Sequence, residues 1–266
     1  MTSWDFAALA AIFLFGVPHG GFDAAIARRN GWSMSGPLSW VTFHLAYIAI
    51  AIIVAFLWWW FPLVSLGLFL IISGYHFGAS DITEVGTDWL PWLAHGGLIP
   101  IAIPSLNSEA VRPIFSILSG SDEAADVLVS IIQLLFIGWI ICCVGYGFFC
   151  LHKKHYGKPL IGLVIMIAII SLLPPLVSFA LYFCLWHSRG HILRLWDSLQ
   201  QGKRLATAQE AITYTLLSWL TAVGVFFYLS GPLTDIMLQL TFIGLAALTW
   251  PHMILVDYMD KRRATL

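Results

Sequence analysis

The sequence has few charged residues, and its basic residues form no stripe of the kind that contacts phosphates. Of 266 residues only 13 are Lys or Arg and 14 are Asp or Glu, which gives a formal net charge of −1. Nucleic-acid binding is therefore not expected, because nucleic-acid-binding domains carry a dense basic patch. Cysteine is also scarce. The four cysteines contain no CxxC pair, so neither a zinc–cysteine site nor a disulfide framework is indicated.

Apolar residues, in contrast, make up 59% of the chain. A soluble domain of this length cannot bury that much apolar surface. Repeated apolar runs of about 17–25 residues instead match the hydrocarbon thickness of a bilayer. The composition predicts an all-α fold, a polytopic transmembrane helix bundle, and a single integral-membrane domain over residues 1–266.

The apolar runs and their polar breaks predict about nine spans, within a range of eight to ten. The predicted spans are 4–27, 38–60, 62–80, 89–105, 127–150, 159–174, 176–197, 210–229 and 233–257. Residues 105–126 form the longest polar segment and are predicted to be a surface loop. The first apolar run has no basic residue before it, so it is interpreted as a retained span and not as a cleaved signal peptide.

The basic residues predict the orientation of these spans. With the N-terminus outside, the segments after spans 1, 5, 7 and 9 face the cytoplasm, and their basic clusters are Arg28–Arg29, Lys153–Lys154–Lys158, Arg194–Lys203–Arg204 and Lys261–Arg262–Arg263. Only Arg112 then remains outside, as the positive-inside rule favours. The sequence thus predicts a multi-pass protein of the cell inner (cytoplasmic) membrane with a cytoplasmic C-terminus.

Histidines are concentrated in the inner half of this predicted bundle. His187 and His191 are four residues apart, a spacing that places both rings on one face of a helix. His19 and His76 lie at a similar predicted depth on other spans. A single buried histidine is usually a structural hydrogen-bonding residue. Several ionisable residues on different spans favour a functional site instead, and imidazole is a common ligand for iron, copper and zinc.

Other polar residues near these histidines are candidates for supporting roles. Asp23 follows His19 by four residues and can orient its imidazole or bind the metal directly. Tyr75 is adjacent to His76 and is a second candidate for support of the ligands. His252, in the last span, is a weaker candidate, either as a metal ligand or as a residue that supports the ligands. His44 and His95 have weaker settings, in which packing or the lining of a path is the simpler interpretation.

The motifs GVPHGGFD, SGYHFGASD, LWHSRGH and WPHMILVD together resemble the Brp/Blh family. These are bacterial and archaeal membrane β-carotene 15,15′-dioxygenases, related to the bacterioopsin-related proteins. The resemblance runs from the first predicted span to the last. Each motif alone is short, and the combination is specific.

The resemblance implies a non-haem Fe(II) carotenoid cleavage dioxygenase. The family's essential histidines fall on His19, His76, His187 and His191 here, which makes them the expected Fe(2+) ligands. The expected substrates are β-carotene, taken from the lipid bilayer, and O₂. Cleavage at the central 15,15′ double bond gives two molecules of all-trans-retinal, and retinal supply to a microbial rhodopsin is the expected functional link.

Three other functions are open on the histidine pattern alone. Paired histidines on facing helices also suit a bis-histidine haem protein, and a scaffold for opsin assembly needs no metal. A di-iron membrane desaturase or hydroxylase is disfavoured, because that class uses about eight histidines and this chain has one HxxxH box. An iron site of two histidines and one carboxylate, in which Asp23 is the carboxylate ligand, is a variant of the iron-dependent function.

Overall fold

The computed structural model describes residues 2–32, 34, 36–82 and 86–259. These residues are almost entirely helical and include no β-strand, so the predicted all-α fold is confirmed. The basic cluster Lys261–Arg262–Arg263, used to predict the orientation, lies outside the described residues.

The described α-helices are α1 (Ser3–Ala11), α2 (Asp23–Arg29), α3 (Pro37–Trp60), α4 (Pro62–Ile82), α5 (Trp89–Gly96), α6 (Ile103–Leu106), α7 (Ser108–Ser119), α8 (Asp122–His152), α9 (Gly157–Leu172), α10 (Pro175–Leu181), α11 (Arg189–Ser198), α12 (Gln201–Tyr228) and α13 (Leu233–Met253). Four π-helical segments are described, Ile12–Gly16, Leu98–Ala102, Tyr182–Ser188 and Ile254–Met259. Two 3₁₀ segments are Val17–Phe22 and Lys154–Tyr156. Such π-helical turns often occur at functional sites.

Seven helices of the described part of the chain are long and apolar enough to cross a membrane. They are Ser3–Arg29, Pro37–Trp60, Pro62–Ile82, Asp122–His152, Lys154–Leu172, Gln201–Tyr228 and Leu233–Val256. Each overlaps a predicted span. The predicted count of nine is not confirmed.

The two remaining predicted spans, 89–105 and 176–197, fall on helices with a π-helical interruption. The first contains α5, Leu98–Ala102 and α6, and most of its residues from Pro91 to Pro104 are buried in protein. The second contains α10, Tyr182–Ser188 and α11. Hydropathy detects apolar side chains but does not distinguish those that contact lipid from those buried against other helices. Both segments were therefore predicted as spans.

The predicted surface loop at 105–126 is wrong, because most of this segment is helical. Helix α7 lies within it and buries Val111, Phe115 and Leu118, which recur at the helical period. Gly120, in the left-handed conformation with φ of 87°, ends the helix. The Ser121 side chain then accepts a hydrogen bond from the Ala124 amide and caps α8. A short amphipathic helix with a polar face was mistaken for a loop.

The chain divides into two compact units. The first unit contains Met1–Ala8 and Pro62–His187, and the second contains Leu9–Phe61 and Ser188–Leu266. The boundary at His187 and Ser188 falls within the π-helical segment Tyr182–Ser188. That the chain forms a single integral-membrane domain stays a prediction.

In the first unit, α4 and α5 cross closely through glycines. A side chain at Gly78 would collide with the Trp92 carbonyl, and one at Gly96 would collide with the Gly74 carbonyl. The Trp139 indole donates a hydrogen bond of 2.8 Å to the Ala94 carbonyl and so fixes α8 against α5. Small residues allow helix backbones to approach in this way in membranes. This crossing sets the position of α4, which carries His76.

Outside the membrane-spanning helices, Asp88 joins the start of α5 to the segment after α8. Its carboxylate accepts hydrogen bonds from the Lys153 ammonium at 2.8 Å and from the Tyr156 hydroxyl at 2.9 Å. The bond from Lys153, followed by that from Tyr156, lowers the pKa of Asp88 below its ordinary value.

In the second unit, a buried cluster joins helices from both ends of the chain. Its members are Ala24, Ile26, Ala27, Phe43, Leu195 and Leu255. Gly21 permits a further close approach, because a side chain there would lie 2.5 Å from the Ala211 carbonyl of α12. These contacts fix the segment that contains His19 and Asp23.

Candidate functional site

In the first unit, His76 and His187 form a buried pair. His76 lies on α4 and His187 in the π-helical segment Tyr182–Ser188, and each is 2% exposed. Their Nε2 atoms are 3.2 Å apart and their ring centroids 4.9 Å apart. Two ring nitrogens at this distance either share a proton or direct their lone pairs to one cation. The structure thus brings together two of the predicted ligands.

Aromatic rings surround this pair. The Phe77 ring meets His187 edge-on with centroids 4.9 Å apart, and the Phe183 ring is nearly parallel to His187 at 5.9 Å. Tyr182 stacks on His187 at 6.4 Å and contacts Phe77 edge-on at 5.2 Å. Apolar neighbours of this kind limit the access of water and fix the plane of the His187 ring.

In the second unit, His19, His191 and His252 form a buried group. The centroid distances are 5.0 Å between His19 and His252, 5.2 Å between His191 and His252, and 5.8 Å between His19 and His191. The side chains come from the 3₁₀ segment Val17–Phe22, from α11 and from α13. The sequence predicted His19 and His191 as ligands, and the structure adds His252 to their immediate contacts.

Asp23 connects this group to α3. Its Oδ1 accepts a hydrogen bond of 2.7 Å from His252 Nδ1, and its Oδ2 accepts one of 2.7 Å from the Tyr47 hydroxyl. Both side chains of the Asp23–His252 pair are buried. Because a carboxylate only accepts hydrogen bonds, His252 Nδ1 is the donor of this pair.

His19 is held by its own segment of chain. Its Nδ1 lies 2.5 Å from the Gly16 carbonyl oxygen and 3.2 Å from the Ser188 hydroxyl. A carbonyl only accepts, so Nδ1 carries the proton here too. The neutral ring then presents its Nε2 lone pair, which is the form that binds a metal. The turn from π-helix to 3₁₀-helix at Val17–Phe22, which includes Pro18, makes this local hydrogen bond possible.

The two support residues predicted from the sequence have different surroundings. Asp23 is bonded to His252, and the bond partners of His19 Nδ1 are Gly16 and Ser188. Tyr75 is 39% exposed and packs edge-on against Trp92, with centroids 5.5 Å apart. Packing between α4 and α5 accounts for Tyr75 more simply, and a role for it at the histidines stays a prediction.

The remaining polar residues include one network around Asp81. The sequence placed Asp81 five residues after His76 with a role less certain than that of Asp23, and it did not predict the partners of Asp81. In the first unit, the Tyr182 hydroxyl donates a hydrogen bond of 3.0 Å to Asp81, and His95 Nδ1 lies 3.5 Å from the same carboxylate. In the second unit, His44 bonds the Tyr214 hydroxyl at 2.7 Å. Tyr47 was likewise missed. Its one available signal was that it is the single tyrosine of the predicted span 38–60, since a buried hydroxyl needs a partner.

Imidazole nitrogens are suitable metal ligands, and some pairs within the two histidine groups have the spacing of two rings on one ion. Metal–nitrogen bonds of about 2.0–2.1 Å place two ligating nitrogens roughly 3 Å apart, and the corresponding ring centroids about 4.5–5.5 Å apart. The His76–His187 pair meets both values. In the second unit the pairs of His252 with His19 and with His191 meet the second value, and the His19–His191 pair, at 5.8 Å, lies outside it. Among the described residues, no group of three or more His, Cys, Asp or Glu side chains is placed to hold a metal ion.

The relation to known proteins covers almost the whole chain. Residues 10–260 match the family described as beta-carotene 15,15′-dioxygenase. The chain belongs to this family. It is also 35% identical over 264 residues to a beta-carotene 15,15′-dioxygenase of uncultured marine bacterium 66A03. The aligned region covers 97% of this chain and 94% of that protein. No solved structure matches it. The resemblance inferred from the four histidine motifs is thereby confirmed.

Proposed function

We propose that this member of the β-carotene 15,15′-dioxygenase family cleaves β-carotene with O₂ at the central double bond. The family match over residues 10–260 carries the proposal. In the reaction the 15,15′ double bond breaks, each of its carbons takes one oxygen atom, and two molecules of all-trans-retinal form. All atoms of both substrates are in the products, so no further reductant is needed.

The metal proposed for this reaction is Fe(II), held by His19, His76, His187 and His191. Iron supplies the activation of O₂. Support comes from the 3.2 Å separation of the His76 and His187 Nε2 atoms and from the burial of all four histidines. His187 and His191 are also four residues apart in the helical run from α10 to α11. Neutral imidazoles hold the ion without cancelling its charge.

The protein's own groups have positioning and shielding roles. Phe77 and Phe183 cover the His187 ring and exclude water from it. Gly16 holds the His19 proton on Nδ1, so that Nε2 is available to a ligand. Orientation of reactants and exclusion of water are the contributions that a protein makes around a reactive cofactor.

The location proposed is the cell inner membrane, with nine spans, an outer N-terminus and a cytoplasmic C-terminus. Support comes from seven apolar helices of sufficient length and from the positive-inside pattern of the sequence. β-Carotene is a hydrocarbon that dissolves in the bilayer, so it can enter such a protein laterally. Retinal leaves as an apolar aldehyde, and a microbial rhodopsin is its proposed acceptor.

The test is expression in bacterial cells that make β-carotene. The wild-type protein is expected to bleach the orange colour and to accumulate all-trans-retinal, measured by chromatography of the extracted pigments. Cells that keep their colour although they contain folded, iron-loaded protein would contradict the proposed reaction. The matched variant is His187→Ala, which is expected to lose both iron and turnover. The control is His44→Ala, which removes a histidine bonded to Tyr214.

The purified protein distinguishes the other functions. Metal analysis is expected to give one iron per chain and an absorption spectrum without a Soret band. A Soret band would indicate haem, two irons per chain would indicate the desaturase chemistry, and retinal formation without any bound metal would refute the iron site.

A further inference from the structure

Each unit contains a buried network of one aspartate, one tyrosine and one histidine. In the second unit Asp23 accepts hydrogen bonds from Tyr47 and His252, both at 2.7 Å. In the first unit Asp81 accepts one from Tyr182 at 3.0 Å, and His95 Nδ1 lies 3.5 Å from the same oxygen. The two networks therefore consist of the same three residue types, and in each an aspartate carboxylate is the hydrogen-bond acceptor.

The sequence and packing around the two aspartates also correspond. Asp23 follows His19 by four residues, and Asp81 follows His76 by five. In both segments a glycine lies two residues after the histidine. A side chain at Gly21 would collide with the Ala211 carbonyl, and one at Gly78 with the Trp92 carbonyl. In each unit a crossing helix thus fixes the backbone between the histidine and the aspartate.

Each aspartate acts on the histidine group of its unit through one ring. Asp23 fixes His252, whose ring lies against His19 at 5.0 Å and His191 at 5.2 Å. Asp81 fixes Tyr182, whose ring stacks on His187 at 6.4 Å. The rings that touch the proposed ligands are therefore themselves held by a buried carboxylate, not by packing alone.

Burial makes these carboxylates difficult to explain as passive residues. The side chain of Asp23 is 5% exposed and that of Asp81 is 4% exposed. Ionisable groups within apolar helices are costly, and packing alone would favour an apolar residue at both places. Among the described residues the buried Nε2 of His95 has no hydrogen-bond partner, and its Nδ1 lies 3.5 Å from the Asp81 carboxylate.

We infer that Asp23 and Asp81 are equivalent positioning residues, one for each histidine group of the proposed iron site. Asp23 acts through His252 with Tyr47 as its second partner, and Asp81 acts through Tyr182 with His95 as its second partner. The inference rests on the proposed iron site and adds to it a carboxylate in each unit that sets the orientation of the ligand rings.

The test measures metal binding by full-length protein in detergent. Co(II) is used as the probe, because its visible absorption reports the number and arrangement of its ligands, and iron retention is measured against a chelator. Asp23→Asn and Asp81→Asn are each expected to weaken metal binding by about 10–100-fold, the usual effect of removing a group that orients a ligand. The Co(II) spectrum is expected to change in both. The matched control is Asp235→Asn, in the first turn of α13.

A second pair of variants separates positioning from folding. Tyr182→Phe removes only the hydroxyl that Asp81 accepts from, and Tyr47→Phe does the same for Asp23. Each is expected to alter the Co(II) spectrum while the helix content stays that of the folded wild type. The double variant Asp81→Asn/Tyr182→Phe is expected to bind Co(II) as tightly as the weaker-binding single variant. The effects should not add, because both changes break the same hydrogen bond.

The outcomes distinguish this inference from the proposed function. Wild-type protein that forms retinal and binds Co(II), together with Asn and Phe variants of unchanged affinity and spectrum, would overturn the inference alone. Wild-type protein that forms retinal and binds no metal would overturn the iron site and the inference together. Failure of the wild type to form retinal, with metal binding weakened in both Asn variants, would overturn the reaction and leave the positioning roles standing.

Discussion

The Nε2 atoms of His76 and His187 lie 3.2 Å apart, although the two residues are separated by 111 positions in the chain. Both side chains are buried, and aromatic rings cover His187. A close pair of imidazoles in an apolar setting is stable when a proton or a cation lies between the two nitrogens. The proposed iron ion would be that cation.

Metal binding is therefore expected to stabilise the folded protein. A divalent ion at about 100 times its dissociation constant adds about 2.7 kcal/mol to the free energy of unfolding. The melting temperature in detergent is expected to rise with Fe(II) or Co(II) in the wild type, and not in His76→Ala or His187→Ala. His44→Ala is the control and should respond as the wild type does. An equal rise in all four proteins would place the ion elsewhere.

Adjacent glycines give a sharp test of helix packing in the second unit. Gly21→Ala is expected to lower the free energy of unfolding by about 1–3 kcal/mol, because its methyl group would meet the Ala211 carbonyl and the Thr215 hydroxyl. Gly20→Ala is the matched control, since nothing lies within 4 Å of a side chain at Gly20. Thermal unfolding compares the two, and equal stability would contradict the close approach of α12.

The buried hydroxyl of Tyr182 is expected to contribute to the stability of the first unit. Tyr182→Phe leaves the Asp81 carboxylate with one fewer donor, which costs about 1–3 kcal/mol at a buried site. The measurement is the denaturation midpoint in mixed detergent. Tyr228→Phe is the control, because Tyr228 is 84% exposed. A loss of the same size in both variants would show that the hydrogen bond to Asp81 is not the cause.

The ion pair of Asp88 and Lys153 predicts a dependence on pH at the surface of the first unit. The Lys153 ammonium and the Tyr156 hydroxyl lower the pKa of Asp88 in the folded protein. A lowered pKa means that the contribution of Asp88 to stability is fully present above its unfolded pKa of about 3.9 and is lost as the pH falls through the folded value. Lys153→Met is expected to raise the pKa of Asp88, measured by NMR of labelled aspartate carboxyls. An unchanged pKa would refute the pairing.

The sequence predicted the burial of particular histidines, because the rules that it offers concern single side chains. A histidine within an apolar helix needs a partner, and His19, His76, His187 and His191 are all buried in the structure. Asp23 was predicted to orient His19 or to bind the metal, and in the structure its carboxylate is hydrogen-bonded to His252. That partner was not predicted, because His252 is 229 positions away and only the packing of α13 brings it to Asp23. Tyr47 and Tyr182 were missed for the same reason.

The helix boundaries likewise include some that single residues predict and others that only packing decides. Proline and polar breaks located the long helices, since these residues end helices wherever they occur. The helix at 108–119 was missed, because its apolar residues occupy only one face and their number is too small for a membrane span. The π-helical segment at Tyr182–Ser188 was not predicted either. Such turns arise from tertiary packing, and no single residue type signals them.

The sequence by itself determined the all-α class, the membrane character, the family and the set of buried histidines. Apolar content and residue identity are properties of the chain, and they do not depend on which segments meet. Only the tertiary structure decided which ring faces which. His187 contacts His76, while His191 contacts His19 and His252. These partners come from distant helices, whose approach depends on glycine crossings and buried hydrogen bonds that hydropathy does not encode.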